Sequence, residues 1–80
     1  MVEEVAFQRI DVRLAQKLLS MASADSSIAT THHDLAVELG TAREVISRQL
    51  REFQRRGWIQ QARGSIKLID TSSMSALCSS

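Results

Sequence analysis

A single glycine between two amphipathic stretches constrains this chain more than any other feature. Ahead of Gly40, apolar residues recur at the spacing of one helical face: Leu35, Ala36 and Leu39. Gly40 then ends this first helix, because only glycine enters the left-handed conformation without steric cost. Thr31 and Asp34 suit the start of the same helix, as a cap and as a negative charge in its first turn. The pattern predicts a short helix followed by a tight turn.

The stretch after Gly40 predicts a longer helix, over about residues 42–56, with two unlike faces. One face is an apolar stripe for the core: Ile46, Leu50 and Phe53. The other face is polar and mostly basic: Arg43, Glu44, Ser47, Arg48, Arg51 and Arg55. A basic helix that follows a short helix and a tight turn suits insertion into the DNA major groove. We therefore interpret residues 31–56 as a helix-turn-helix with 42–56 as its recognition helix.

The flanking segments complete a known architecture. Residues 1–22 carry a helical stripe that includes Leu14 and Leu18, with a hinge expected near residues 9–11, where Asp11 is a candidate cap. A short edge strand is expected over 28–30. Residues 58–69 predict two strands around an Arg63-Gly64 turn, and a last short helix follows, capped by Asp70 or Thr71. The prediction is a mainly α fold with a small β-wing, a winged helix-turn-helix built from a three-helix core, a β-hairpin and a short C-terminal helix.

The charge distribution agrees with a nucleic-acid partner. The net charge is only +1, but residues 1–40 carry three Lys and Arg against six Asp and Glu, whereas residues 41–70 carry seven against three. A basic half joined to an acidic half is expected of a domain with one nucleic-acid face. The alternative interpretation is an ordinary solvated basic helix.

Other classes of protein find little support in the sequence. No apolar run approaches the roughly 18 residues that span a membrane, and the acidic N-terminus is unlike a signal peptide. The lone Cys78 cannot form an internal disulfide, so a cytoplasmic location is expected, with no membrane partner. The sequence contains no phosphate-binding loop and no carboxylate pair that would suggest an enzyme. Trp58 is interpreted as a core anchor beneath the wing, with base stacking as the alternative.

Two adjacent histidines, His32 and His33, leave several interpretations open. Neighbouring side chains on a helix diverge by about 100°, so the pair does not chelate one metal and no metal site is expected. Because they stand at a helix N-terminus, either histidine is a candidate contact to a DNA phosphate. A solvated pair is the alternative.

Several blocks of the sequence resemble one known family. They are Asp34-Leu-Ala-x-x-Leu-Gly-x-x-Arg-Glu-x-x-Ser-Arg48 and Arg63-Gly64-x-Ile66. Together they resemble the C-terminal DNA-binding domain of the Crp/Fnr regulators, the relatives of the cAMP receptor protein and the fumarate–nitrate regulator. The resemblance implies that residues 1–10 are the tail of a dimerisation helix with its hinge, that residues 11–80 are the DNA-binding domain, and that a sensor domain is missing. A cyclic nucleotide or another effector would bind that sensor, and this domain would need no cofactor.

The resemblance also implies roles for individual residues. Four are expected to read bases: Arg43, Glu44, Ser47 and Arg48. Five are expected to contact phosphates: Thr31, His33, Thr41, Arg51 and Arg63. The implied partners are a double-stranded operator with an inverted repeat, a second subunit in the full-length regulator and RNA polymerase. The alternative function is a winged-helix module that binds protein and not DNA.

Overall fold

The computed structural model describes residues 10–79 and confirms the winged helix-turn-helix. In chain order the elements are α1 (Ile10–Met21), β1 (Ser27–Ile28), α2 (His32–Leu39), α3 (Arg43–Arg55), β2 (Ile59–Ala62), β3 (Ser65–Leu68) and α4 (Thr71–Ser79). Ile10 is already helical, so Asp11 lies inside the first turn of α1 and not at its cap. From this position the Asp11 carboxylate accepts from the Val12 amide at 2.8 Å. The predicted dimerisation tail and most of the predicted hinge lie outside the described residues.

The helix-turn-helix begins and turns as its sequence predicts. The Thr31 hydroxyl accepts from the Asp34 amide at 3.1 Å, which caps α2. Gly40 follows α2 with φ 66°, in the left-handed region. The Thr41 amide then reaches back to the Ala36 carbonyl at 3.0 Å, so a carbonyl that the helix leaves unpaired gains a donor. These bonds fix the direction in which α3 leaves the turn.

One apolar core joins the four helices of residues 10–79 to the sheet. Its buried members are Leu14, Ala15, Leu18, Ile28, Leu35, Ala36, Leu39, Ile46, Leu50, Phe53, Ile59, Ile66, Leu68 and Met74. The stripe predicted for α3 is fully buried, with Ile46, Leu50 and Phe53 at 0% exposure. Because a third of a helix surface is committed to this core, the polar side of α3 must face outward.

The wing is part of a three-stranded antiparallel sheet in the order β1-β3-β2. The predicted hairpin is confirmed, since Ala62 pairs with Ser65 across the Arg63-Gly64 turn. The edge strand expected over 28–30 forms one residue earlier and shorter, as Ser27–Ile28, and it pairs with β3 by setting Ile28 opposite Ile66. The wing is therefore held to the segment that precedes α2 as well as to the end of α3.

Two further contacts hold the outer helices. The Arg13 guanidinium donates to the Leu39 carbonyl at 2.8 Å, which ties α1 to the end of α2. The Asp70 carboxylate accepts from the Ser73 amide at 3.0 Å and from its hydroxyl at 2.7 Å, so Asp70 and not Thr71 caps α4. Both bonds favour the charged carboxylate, and the pKa of Asp70 is lowered as a result.

Candidate nucleic-acid interface

The outward face of α3 presents charged side chains that nothing else in the described part of the chain engages. Arg43, Glu44, Arg48 and Arg51 are all exposed. Among residues 10–79, neither a hydrogen bond nor an ion pair holds any of these four. They remain available to a ligand.

The basic residues at the C-terminal end of α3 differ, because they already have an anion. Glu52 pairs with Arg55 at 2.6 Å and with Arg56 at 2.8 Å. The Arg55 guanidinium, followed by Arg56, lowers the pKa of the Glu52 carboxyl to about 2. Arg56 also lies over the Trp58 ring, 5.1 Å from its centroid. The available positive charge of the helix is thus carried by Arg43, Arg48 and Arg51.

Trp58 anchors the start of the wing to the core. Its ring packs against Phe53 with centroids 5.3 Å apart, and the side chain is half-buried. The guanidinium of Arg56 also lies over the ring. This arrangement agrees with the core-anchor interpretation, although the indole is less buried than a core residue.

Ser47 is half-buried, and its hydroxyl has a partner outside the helix. Its Oγ lies 2.8 Å from Nδ1 of His32, the first residue of α2. The other ring nitrogen, Nε2, lies 2.6 Å from Oε1 of Gln61 in the wing. His32 therefore connects the helix-turn-helix to the wing, a role that the sequence analysis did not assign to it. The sequence signal was its position at the start of α2, which alone does not identify a partner.

The two histidines lie in different environments. His32 is half-buried between α3 and β2, whereas His33 is exposed. Within residues 10–79, no three His, Cys, Asp or Glu side chains gather where they could hold a metal ion. For His32, the interpretation of a solvated pair is wrong, because both ring nitrogens have protein partners.

A cleft of about 410 Å³ separates the start of α2 from the tip of the wing. Thr31, His33 and Arg43 border it on one side and Gly64 borders it on the other. The structure thus brings Thr31 and His33, two of the five predicted phosphate contacts, together beside Arg43, a predicted base-reading residue. Thr41, Arg51 and Arg63 do not line the cleft. Thr41 is half-buried in the turn, whereas Arg51 and Arg63 are exposed on α3 and at the wing tip.

A helix-turn-helix whose wing is closed by a third strand can be compared with known families. Residues 12–77 match the model of the Crp-like helix-turn-helix domain. The chain belongs to this family. The resemblance inferred from Arg43-Glu44-x-x-Ser47-Arg48 is thereby confirmed.

Individual Crp/Fnr relatives agree with this assignment. The transcriptional regulator SdrP of Thermus thermophilus is 29% identical over 87 aligned positions, which cover 99% of this chain and 43% of SdrP. A structure from Eubacterium rectale, described as a regulator of the Crp/Fnr family, is 34% identical with a TM-score of 0.88 and covers 99% of this chain and 38% of its own. The catabolite activator protein of Thermus thermophilus shares the fold at 23% identity, with a TM-score of 0.79 over 96% of this chain and 37% of its own. The chain spans less than half the length of these relatives. In the described residues, no helix is long and apolar enough to cross a membrane.

Proposed function

We propose that this Crp-like domain binds double-stranded DNA sequence-specifically, with α3 in the major groove, as the DNA-binding part of a transcription regulator. The observation that carries the proposal is the exposed face of α3, where Arg43, Arg48 and Arg51 have no partner among the described residues. At the end of the same helix, Arg55 already pairs with Glu52. Unpaired basic residues on a helix that follows a tight turn suit the anionic groove of DNA.

Four side chains are proposed to read bases: Arg43, Glu44, Ser47 and Arg48. Arginine can donate two parallel hydrogen bonds to guanine O6 and N7, and glutamate can accept from the cytosine amino group. Serine can bond to several bases. Arg43, Glu44 and Arg48 are exposed on α3, and Ser47 is half-buried beside them.

Five side chains are proposed to contact phosphates: Thr31, His33, Thr41, Arg51 and Arg63. Thr31 and His33 stand at the N-terminus of α2, where backbone amides and the helix dipole favour an anion. Arg51 and Arg63 are exposed on α3 and at the wing tip. Such contacts position a protein on the duplex without reading its sequence.

The remaining parts of the proposal concern the full-length regulator. The relatives are named as transcriptional regulators, which supports a binding role and not an enzymatic one. We propose a cytoplasmic homodimer on an inverted-repeat operator, with half-sites about 34 Å apart. A sensor domain outside this chain would bind the effector, and RNA polymerase is a further proposed partner.

The experiment is fluorescence anisotropy on two labelled duplexes, one with an inverted repeat of a TGTGA-type half-site and one scrambled, each at two salt concentrations. We expect tighter binding to the repeat. Arg48→Ala should cost about 1–3 kcal/mol and relax the preference at one base pair.

The control variant is Arg55→Ala, which removes an arginine that Glu52 already neutralises. Equal loss on both duplexes in Arg48→Ala would contradict base reading by that residue. No binding to either duplex at low salt would instead favour a protein-interaction module.

A further inference from the structure

Four side chains form a hydrogen-bonded line that starts and ends on α3 and passes through β2 of the wing and the start of α2. Gln61 Nε2 lies 3.3 Å from Gln54 Oε1, and Gln61 Oε1 lies 2.6 Å from His32 Nε2. His32 Nδ1 lies 2.8 Å from the Ser47 hydroxyl. The line joins three elements, α2, α3 and β2, and it ends at a residue proposed to read a base.

A backbone group fixes the direction of these hydrogen bonds at one end. The Gln61 amide N–H donates to Gln54 Oε1 at 3.2 Å. Because a backbone N–H can only donate, the Gln54 side chain must present its oxygen here. That oxygen can accept a second hydrogen bond only from a donor. The side-chain carboxamide of Gln61 therefore turns its NH₂ group toward Gln54. Its own oxygen, Oε1, then faces His32.

The imidazole and the serine are fixed in their donor and acceptor roles in turn. Gln61 Oε1 only accepts, so His32 Nε2 must carry a proton. In the neutral ring Nδ1 then has a lone pair and accepts. The Ser47 hydroxyl therefore donates its single proton to Nδ1. A serine hydroxyl can ordinarily rotate to donate or to accept. Because the Ser47 proton is used in this bond, the Ser47 oxygen can only accept from any other partner.

We propose that this line of side chains makes Ser47 an obligate hydrogen-bond acceptor toward DNA. The inference rests on the proposed function and deepens it. The matching groups in the major groove are the exocyclic amino groups, N6 of adenine and N4 of cytosine. Guanine O6 and N7 and thymine O4 are acceptors and do not match. His32 is a positioning residue in this scheme, and Gln61 selects its tautomer.

The first test measures the tautomer in the free 80-residue chain, by two-bond ¹H–¹⁵N NMR at about pH 8, above the range in which imidazoles ordinarily take up a proton. We expect the proton of His32 on Nε2. Gln61→Lys places a side chain that can only donate opposite Nε2, so it should move the proton to Nδ1. Gln60→Lys adds the same charge at the neighbouring exposed position of β2 and should leave the tautomer unchanged.

The second test measures DNA affinity with base analogues. They are placed at the base pair whose replacement changes the affinity of the wild type but not that of Ser47→Ala. Removal of the amino group, by purine for adenine or 2-pyrimidinone for cytosine, should weaken the wild-type complex about 2- to 10-fold, the range of one neutral hydrogen bond. Removal of N7, by a 7-deazapurine, should have no effect there. His32→Phe should reduce the preference for the amino group and let Ser47 also use base acceptors, because the freed hydroxyl can donate as well as accept. Gln61→Lys should shift the sensitivity to the base acceptors, whereas Gln60→Lys should not.

The outcomes separate the inference from the function on which it rests. A proton on Nδ1 in the wild type, or an unchanged tautomer in Gln61→Lys, overturns the inference even if DNA binds specifically. Sensitivity of the wild type to N7 and not to the amino group also overturns it. Failure of the wild type to bind any duplex overturns the proposed function and the DNA part of the inference, whereas the tautomer still decides whether the hydrogen-bonded line exists.

Discussion

Arginines on α3 and directly after it differ in what they can offer a ligand, because only some of them pair with an anion among residues 10–79. Arg51 is exposed without a partner among the described residues, whereas Arg56 is shared between Glu52 and the Trp58 ring. Formal charge counts treat the two side chains as equal. Their availability to a phosphate is not equal, since Arg56 must give up contacts in order to bind.

Arg51→Ala should therefore weaken binding to every duplex alike and reduce the slope of log affinity against log salt by about one. One fewer phosphate contact releases about one fewer counterion, which is the physical reason. Anisotropy titrations across a salt series measure the slope.

Arg56→Ala is the matched control, because it removes the same charge from a residue that is already paired. Its slope should change less than that of Arg51→Ala. Equal changes in the two variants would contradict the assignment of Arg51 as a phosphate contact.

For individual residues, the sequence predicted which side chains of α3 face outward but not what each side chain contacts. The buried stripe at Ile46 and Leu50 follows from helical periodicity, which is local. The partners of His32 lie 15 and 29 positions away, at Ser47 and Gln61. Their contact depends on how three elements pack, and no spacing in the sequence encodes that packing.

The turn between α2 and α3 depends on a single glycine. Gly40 has φ 66°, and a Cβ added there would meet no atom within 4 Å. The cost of a side chain at this position is therefore conformational and not steric crowding. The Thr41 and Gly40 amides bond to the end of α2 only when the backbone turns in this way.

Gly40→Ala should lower the free energy of unfolding by about 1–2 kcal/mol, the cost of the left-handed conformation for a residue with a Cβ. Gly40→Asn should cost less, because asparagine enters this region more readily. Urea denaturation followed by circular dichroism measures both. Equal stability of Gly40→Ala and the wild type would show that the turn can relax to another conformation.

The sheet shows the limit of local patterns at the scale of elements. Alternation at Ile66 and Leu68, with the Arg63-Gly64 turn, was sufficient to predict the hairpin. The short strand near Ile28 was also predicted, but its pairing with β3 was not. Two residues of strand carry too little pattern to select a partner almost forty positions away, and the burial of Ile28 beside Ile66 makes that selection.

The free energy of unfolding of the domain depends on pH through three carboxylates. The hydroxyl of Ser23 lowers the pKa of Asp25, Arg55 lowers that of Glu52 to about 2, and the Ser73 amide lowers that of Asp70. In the unfolded chain these groups return to ordinary values of 3.8 for Asp and 4.5 for Glu. Between about 2 and 4.5 the unfolded chain binds more protons, so stability must rise with pH across this window.

We expect the Tm to fall as the pH drops through this window. Glu52→Gln, which cannot ionise, should flatten the decline, and added salt should also flatten it because the Glu52 ion pairs are exposed. Thermal unfolding at a series of pH values measures the decline. A Tm that stays constant down to pH 2 would contradict the stabilising role of these carboxylates.

The bonds between Ser47, His32 and Gln61 also bear on protein engineering. Under the proposed function, one way to reprogramme the domain would be to graft α3 onto another scaffold. Transfer of α3 alone would carry Ser47 and Gln54 but leave behind the imidazole of α2 and the amide of β2. The transferable unit is therefore the helix together with positions 32 and 61, and a chimera that keeps all of them should inherit the parent's base preference more faithfully.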